Sequence, residues 1–281
     1  MKTGLILEGG AMRGMFSCGI LDVLMENGVT FDGCAGISAG AVFGCNFKSG
    51  QIGRPIRYNK KYCADPRYMS LRSLVTTGDL YGVQFCYHEL PDKLDVFDRK
   101  AFSENSMAFY VGATDVDTGK AVYHLCKDGG AEDIEWMRAS ASMPMVSQVV
   151  KIGDYRLLDG GIVEPVPYDF MRREGYGRNV VILTQPREYR KKKSAMLPLM
   201  RLTMRAYPKV VEAMALRHER YNAMTDRIAE DEQQGKVLVL RPPEALGISR
   251  TEKDPEELER VYQMGRRIAL QRLDEVRAYL S

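Results

Sequence analysis

The chain opens by running twice through one pattern: a short apolar stretch, a glycine-rich turn and an apolar-faced helix. "TGLILEGG" is an apolar run ended by glycines. "RGMFSCGILDVLMENG" then sets Phe16, Ile20, Val23 and Leu24 on one helical face, with Gly28 as a stop. "FDGCAGISAGAVFGCNFKSG" repeats the scheme, with a strand from Phe31 to Ala35, a sharp turn at Ser38 and a helix of small residues. Two such units in succession point to an α/β fold, a mainly parallel sheet covered by helices. With 281 residues, 45% of them apolar, one domain over 1–281 is expected rather than two small ones.

Further along, "MAFYVGATDVDTGKAVYHL" reads as a hairpin, with strands 107–114 and 120–125 turning at Asp117-Thr118-Gly119. A helix around "AEDIEWMRASAS" follows, then strands near 147–151 and 154–158 about Gly153-Asp154. "NVVILTQP" and "GKVLVLRP" are continuous apolar runs, as expected of central strands. Residues 51–105 read as helices and loops between strands. The closing "DPEELERVYQMGRRIALQRLDEVRAYL" predicts one long amphipathic helix with Asp254 as N-cap and Pro255 at its first position.

Several classes drop out. A formal net charge of +3 is too small for a nucleic-acid binder as a whole. Cys18, Cys34, Cys45, Cys63, Cys86 and Cys126 form no CxxC pair, so reduced thiols in a cytoplasmic protein are expected, with no metal site. The start, "MKTGLILEGGAMRG", has no secretory apolar core, and no run reaches the ~18 to 20 apolar residues of a membrane span.

The chemistry concentrates in Gly36-Ile37-Ser38-Ala39-Gly40. A serine between two glycines, after a strand and before a helix, is how a strained turn presents a nucleophilic hydroxyl; a glycine turn whose serine caps the helix is the plainer alternative. Acyl transfer also needs donors for an oxyanion, and Gly9-Gly10-Ala11-Met12-Arg13-Gly14, directly after the first strand, can supply backbone N–H groups. The base is less obvious. The three histidines, His88, His124 and His218, fit surface or structural positions better than a late catalytic loop. Asp159 ends a strand before Gly160-Gly161 and can accept a serine proton; on local evidence it is equally a turn residue.

Taken in order, GGxxRG (Gly9 to Gly14), GxSxG (Gly36 to Gly40) and DGG (Asp159 to Gly161) resemble the patatin-like phospholipase family over residues 4–185, as does "RASASMPMVSQVVKIGDYRLLDGG". The resemblance implies a three-layer α/β/α fold and a serine acyl hydrolase of the phospholipase A or lysophospholipase kind, with lipid or phospholipid acyl esters as substrates. It implies Ser38 as nucleophile, Asp159 as general base, Gly9, Gly10 and Ala11 as oxyanion hole, and Arg13, Gly14, Gly36, Gly40, Gly160 and Gly161 in support, with no cofactor. Ala11 stands where the family often has Gly, and Glu164 where it often has Asn. A transacylase on the same dyad and a non-catalytic lipid-binding protein of this fold are the rival readings.

Between Arg187 and Arg220 stand ten Lys/Arg against three acids. On a helix, Met200, Met204, Tyr207, Val211 and Met214 form a stripe with Arg201, Arg205 and Lys209 on another face, and Pro208 kinks it or starts a second helix. An interfacial segment at the inner face of an anionic membrane is expected, beside the plainer reading of a packed helix with a solvated basic face.

Overall fold

The computed structural model describes residues 1–281. Strand β1 (Lys2–Leu7) leads through a 3-10 turn (Ala11–Arg13) into α1 (Gly14–Glu26); β2 (Gly33–Ile37) leads directly into α2 (Ala39–Lys48). Helices α3 (Arg54–Tyr62) and α4 (Leu71–Thr77), a π-helical stretch (Phe85–Leu94) containing Pro91, and α5 (Arg99–Glu104) fill the next segment. The hairpin β3 (Ala108–Asp115) and β4 (Lys120–Cys126) precedes α6 (Ala131–Ser140), β5 (Val150–Ile152), β6 (Tyr155–Asp159) and α7 (Tyr168–Arg173). Then come β7 (Tyr176–Ile182), α8 (Leu197–Thr203), α9 (Pro208–Gln233), β8 (Val237–Leu240), α10 (Pro255–Gln271) and α11 (Leu273–Leu280).

All strands join one sheet in the order β5-β6-β3-β2-β1-β7-β8, with β4 also on β3. The pairs β1/β2, β2/β3, β1/β7 and β7/β8 are parallel, so the sheet is mostly parallel. Strands at its centre and at the β8 edge alike are buried on both faces by simple alternation. Leu5 and Leu7, Val180 and Ile182, and Leu238 and Leu240 enter the larger core, whereas Ile6, Val181 and Val239 enter a second core with Tyr168, Phe170 and Met171 of α7. Helices on both faces make the fold the three-layer α/β/α arrangement.

Several sequence expectations need correction. The second strand runs two residues later than Phe31 to Ala35, because Asp32 is held before it by Thr3: its carboxylate accepts the Thr3 N–H at 2.7 Å. "GKVLVLRP" forms an edge strand, not a central one; it reads as buried because its free side is covered, and Arg272 donates to the Val239 carbonyl. That arginine also divides the expected closing helix into α10 and α11. Asp254 does cap α10, accepting from the Glu256 N–H at 2.9 Å, with Pro255 behind it. Pro208 starts α9.

The methionine stripe faces inward. Met200, Met204 and Met214 pack with Val116, Leu158 and Ile162, and Tyr207 and Val211 lie against the same cluster. Burial of this apolar stripe against the strand that ends in Asp159 is the more stabilising use of it.

Helix α10 meets α1 backbone to backbone. A Cβ on Gly265 would lie 1.9 Å from the Phe16 carbonyl oxygen, and one on Gly19 would lie 2.0 Å from that of Tyr262. Gly265→Ala is therefore expected to destabilise the chain by about 2 kcal/mol, since neither helix axis can yield. Urea unfolding checks this; an unchanged midpoint would contradict it.

Candidate active site

Strand β3 brings the two candidate reacting side chains together. Its one edge is taken by β4 along its length. Its other edge is shared: β2 occupies it from Ala108 to Gly112, ending with Ile37 opposite Gly112, and β6 takes over with Asp159 opposite Ala113. The chain leaves β2 at residue 38 and leaves β6 at residue 159, so two positions far apart in sequence meet on one edge.

At that point the chain turns sharply. Ser38 has φ 55° and ψ −120°, a conformation that costs an L residue about 1–3 kcal/mol. Close packing enforces it: a Cβ on Gly36 would lie 2.4 Å from the Gly40 carbonyl oxygen, and one on Gly40 would lie 2.6 Å from that of Leu7. Ser140, fully buried at the end of α6, ties the turn to the sheet. Its hydroxyl accepts the Ser38 N–H at 2.8 Å and donates to the Gly112 carbonyl at 2.6 Å.

Asp159 is held from several sides. Its N–H donates to the Ser142 carbonyl at 2.7 Å, its carbonyl accepts from the Thr114 hydroxyl at 2.9 Å, and its Oδ1 accepts the Gly161 N–H at 2.7 Å. Burial raises its pKa above the ordinary carboxylate range, opposed by the nearby Ser38 hydroxyl and the Arg217 guanidinium.

The first glycine loop lies beside Ser38, but Gly9 departs from the expected role. Its N–H donates to the Pro165 carbonyl at 3.2 Å and is not free for an oxyanion. The N–H groups of Gly10 and Ala11 have no backbone acceptor, and Ala11 sits at φ 50°, where glycine would be relaxed. Glu8, just ahead of them, is almost fully buried. It accepts from the Thr184 N–H and hydroxyl on one oxygen and from the Tyr221 hydroxyl, at 2.8 Å, on the other.

Ser38 stands at the junction of two spaces. One is an apolar cavity of about 320 Å³ reaching past Val42, Tyr58, Tyr81, Tyr87 and Leu90. The other is a polar cleft holding Glu8, Gly10, Arg13, Asp159, Lys191, Arg217 and Arg250. No histidine lines either. His124 hydrogen-bonds Asp133 at 2.7 Å and stacks on Trp136, His88 is 4.0 Å from Glu135, and His218 is 3.6 Å from Glu219. His124, Cys126 and Asp133 cluster closely enough to hold a cation, but Asp133 already accepts three backbone N–H groups. Glu164 lies outside the lining of both spaces.

Sequence reasoning missed Glu8, Ser140 and Arg250, and it counted Lys191 and Arg217 in a basic run read as either membrane-facing or solvated. Only Glu8 carried a local signal, a lone acid closing an apolar strand before two glycines.

The strain at residue 38 is testable apart from any activity. Ser38→Gly is expected to be more stable than Ser38→Ala by about 1 kcal/mol, because only glycine relaxes at that φ and ψ. Denaturant midpoints compare the two; an alanine variant of equal or greater stability would contradict the strained turn.

Comparison with known proteins adds the family. A model of the patatin-like phospholipases matches residues 5–172, and one of a domain of unknown function, DUF6363, matches residues 207–281. The chain is 28% identical to the uncharacterized protein YjjU of Escherichia coli over 66% of its own length and 52% of that protein. It is 28% identical to the uncharacterized NTE family protein Mb1092c of Mycobacterium bovis over 59% and 44%. Lysophospholipase nte1 of Aspergillus niger is 25% identical over 64% of this chain and 11% of that one. The chain thus spans about half the length, or less, of these curated relatives. Among solved structures, VipD from Legionella pneumophila aligns over 98% of this chain and 67% of that one, with TM-score 0.48 and 13% identity. The matched residues 5–172 are more than half of the chain and contain all three glycine motifs: the chain belongs to the patatin-like phospholipase family.

Proposed function

We propose that the protein is a serine acyl hydrolase that cleaves a lipid or phospholipid acyl ester through an acyl-enzyme on Ser38, with Asp159 as general base and 1–281 acting as one unit. The observation that carries this reading is the shared edge of β3, which sets the strained Ser38 beside a buried carboxylate at the mouth of an apolar cavity.

In the proposed reaction the Ser38 hydroxyl oxygen attacks the ester carbonyl carbon and its proton passes to the Asp159 carboxylate. The Gly10 and Ala11 N–H groups hold the oxyanion. Collapse expels the alcohol, which leaves with the proton from Asp159. Water then attacks the acyl-enzyme, giving a proton to the same carboxylate, and the fatty acid departs as Ser38 recovers its hydrogen. An ordinary aspartate, of pKa about 3.9, is a weak base at neutral pH; desolvation, which raises this one, brings it closer to the task. The apolar cavity takes the acyl chain.

Ser38→Ala and Asp159→Asn are each expected to lower kcat on acyl esters by about 10³ or more, while His88→Gln, His124→Gln and His218→Gln stay within about a few-fold. Because the base works deprotonated, activity should fall with decreasing pH through a point above the usual carboxylate pKa. Full activity in either dyad variant, or a comparable loss at one histidine, would contradict the assignment.

Peripheral contact with an anionic membrane from the cytoplasmic side belongs to the same proposal, on a different surface from the methionine stripe. No helix is long and apolar enough to cross a membrane. Outward on and before α8, Met196, Leu199 and Leu202 are 48%, 44% and 59% exposed, with Lys192, Lys193, Arg201 and Arg205 exposed around them. Sedimentation with phosphatidylglycerol vesicles should show binding that about 0.5 M salt weakens and that Leu199→Asp with Leu202→Asp removes; binding unaffected by both would contradict this surface.

A further inference from the structure

The polar cleft beside Ser38 holds more positive charge than any proton transfer at Asp159 requires. Arg13, Lys191, Arg217 and Arg250 converge there with only Glu8 and Asp159 for balance. Both Glu8 oxygens already accept hydrogen bonds from Thr184 and Tyr221, and one Asp159 oxygen is taken by Gly161. None of the four cations is ion-paired, whereas Arg190, next to Lys191, holds Asp226 at 2.6 Å. Their other contacts are neutral: Arg13 donates to the Thr184 hydroxyl at 3.4 Å, Arg217 to the Gly161 carbonyl, and Lys191 lies 4.4 Å from the centre of the Tyr221 ring. Arg13, Lys191 and Arg217 are partly buried and Arg250 is exposed at the opening; like charges crowded with too few counterions cost free energy unless an anion joins them.

We propose that this cleft is a phosphate subsite, built largely by the part of the chain that follows the patatin-like match, which binds the phosphate of the substrate's head group while the acyl chain occupies the apolar cavity. Arg13 alone comes from the matched residues 5–172; Lys191, Arg217 and Arg250 come after them, the last two within residues 207–281. Ser38, Ala11 and Arg250 line both spaces, so one molecule can place its ester at Ser38 with its two ends on either side. Several converging donors suit a phosphate, which offers more acceptor oxygens than a carboxylate. The proposal rests on the lipid-ester reading for its substrate, but the subsite itself can be measured without turnover.

Lys191 adds a pH signature. Burial, then Arg217, lowers its pKa to about 7, with Arg13 and Arg250 acting the same way and Glu8 opposing them; Tyr189 and Tyr221 are its aromatic neighbours. An anion bound beside it favours the protonated form. Affinity is therefore greatest below pH 7 and declines as pH rises through the pKa of the free cleft.

The test uses the full chain carrying Ser38→Ala and calorimetric titration with three probes. They are a lysophosphatidylglycerol, whose phosphodiester keeps one charge across this range, a monoacylglycerol of the same acyl chain, and inorganic phosphate. The lysophospholipid should bind about tenfold or more tightly than the monoacylglycerol, and adding Lys191→Met and Arg250→Gln should erase the difference. Lys191→Arg should keep the affinity and remove its decline between pH 6 and 8.5. If inorganic phosphate binds and requires the same residues while the lysophospholipid gains nothing, the subsite stands and its anion is free phosphate. Equal affinity for both lipids with no phosphate binding, or a double variant that weakens both lipids alike, would overturn the subsite. Wild-type turnover of a neutral ester tests the hydrolase reading separately.

Discussion

The constraint on which the site depends is the divided edge of β3. A parallel partner, β2, leaves that edge at Gly112, and an antiparallel one, β6, takes it over at Ala113. Gly112 is the node. Its carbonyl accepts from the Ser140 hydroxyl, which in turn fixes the N–H of Ser38, and a Cβ on Gly160 would lie 2.4 Å from the same oxygen. One backbone carbonyl thus locates the serine turn and the aspartate turn together. A site held by ladder register is rigid to within the tolerance of a hydrogen bond, as side-chain chemistry needs.

The three-layer sheet makes that register secure. Alternating side chains of β1, β7 and β8 enter cores on both faces, so a one-residue slip would exchange every buried side chain for its neighbour on the opposite face. The later part of the chain is bound into the same packing. Helix α10 crosses α1 at paired glycines, Tyr221 of α9 reaches Glu8 at the end of β1, and Arg217 bonds the carbonyl of Gly161. Through α9 and the segment around Arg250, that later part also supplies the wall and much of the charge of the cleft.

What was legible in the sequence had a local cause. Strand, glycine turn and helix each leave a pattern within a few residues, so β1 with α1, β2 with α2, both hairpin turns and the cap at Asp254 were readable. So were the glycines of the Ser38 turn, which packing makes obligatory. What was not legible depended on long-range contacts. "VLVL" looks central because it is buried, yet only β7 pairs with it and the Val239 carbonyl is taken by Arg272, which no periodicity records. The stripe Met200, Met204 and Met214 has the same spacing whether it meets lipid or Leu158 and Ile162. Likewise Lys191 and Arg217 sit in a run of charge whose other members face solvent, and only the packing of α9 turns these two inward. Gly9 looked equivalent to Gly10 until Pro165 claimed its N–H.

In the proposed mechanism Ser38 is a nucleophile activated without histidine. The most direct test is covalent capture: incubation of the native chain with a long-chain alkyl fluorophosphonate, followed by peptide mass spectrometry. A single phosphonyl adduct on Ser38 is expected, formed markedly more slowly in Asp159→Asn and at an unaltered rate in the three His→Gln variants. An adduct at another residue, or labelling of Ser38 that depends on a histidine and not on Asp159, would contradict it.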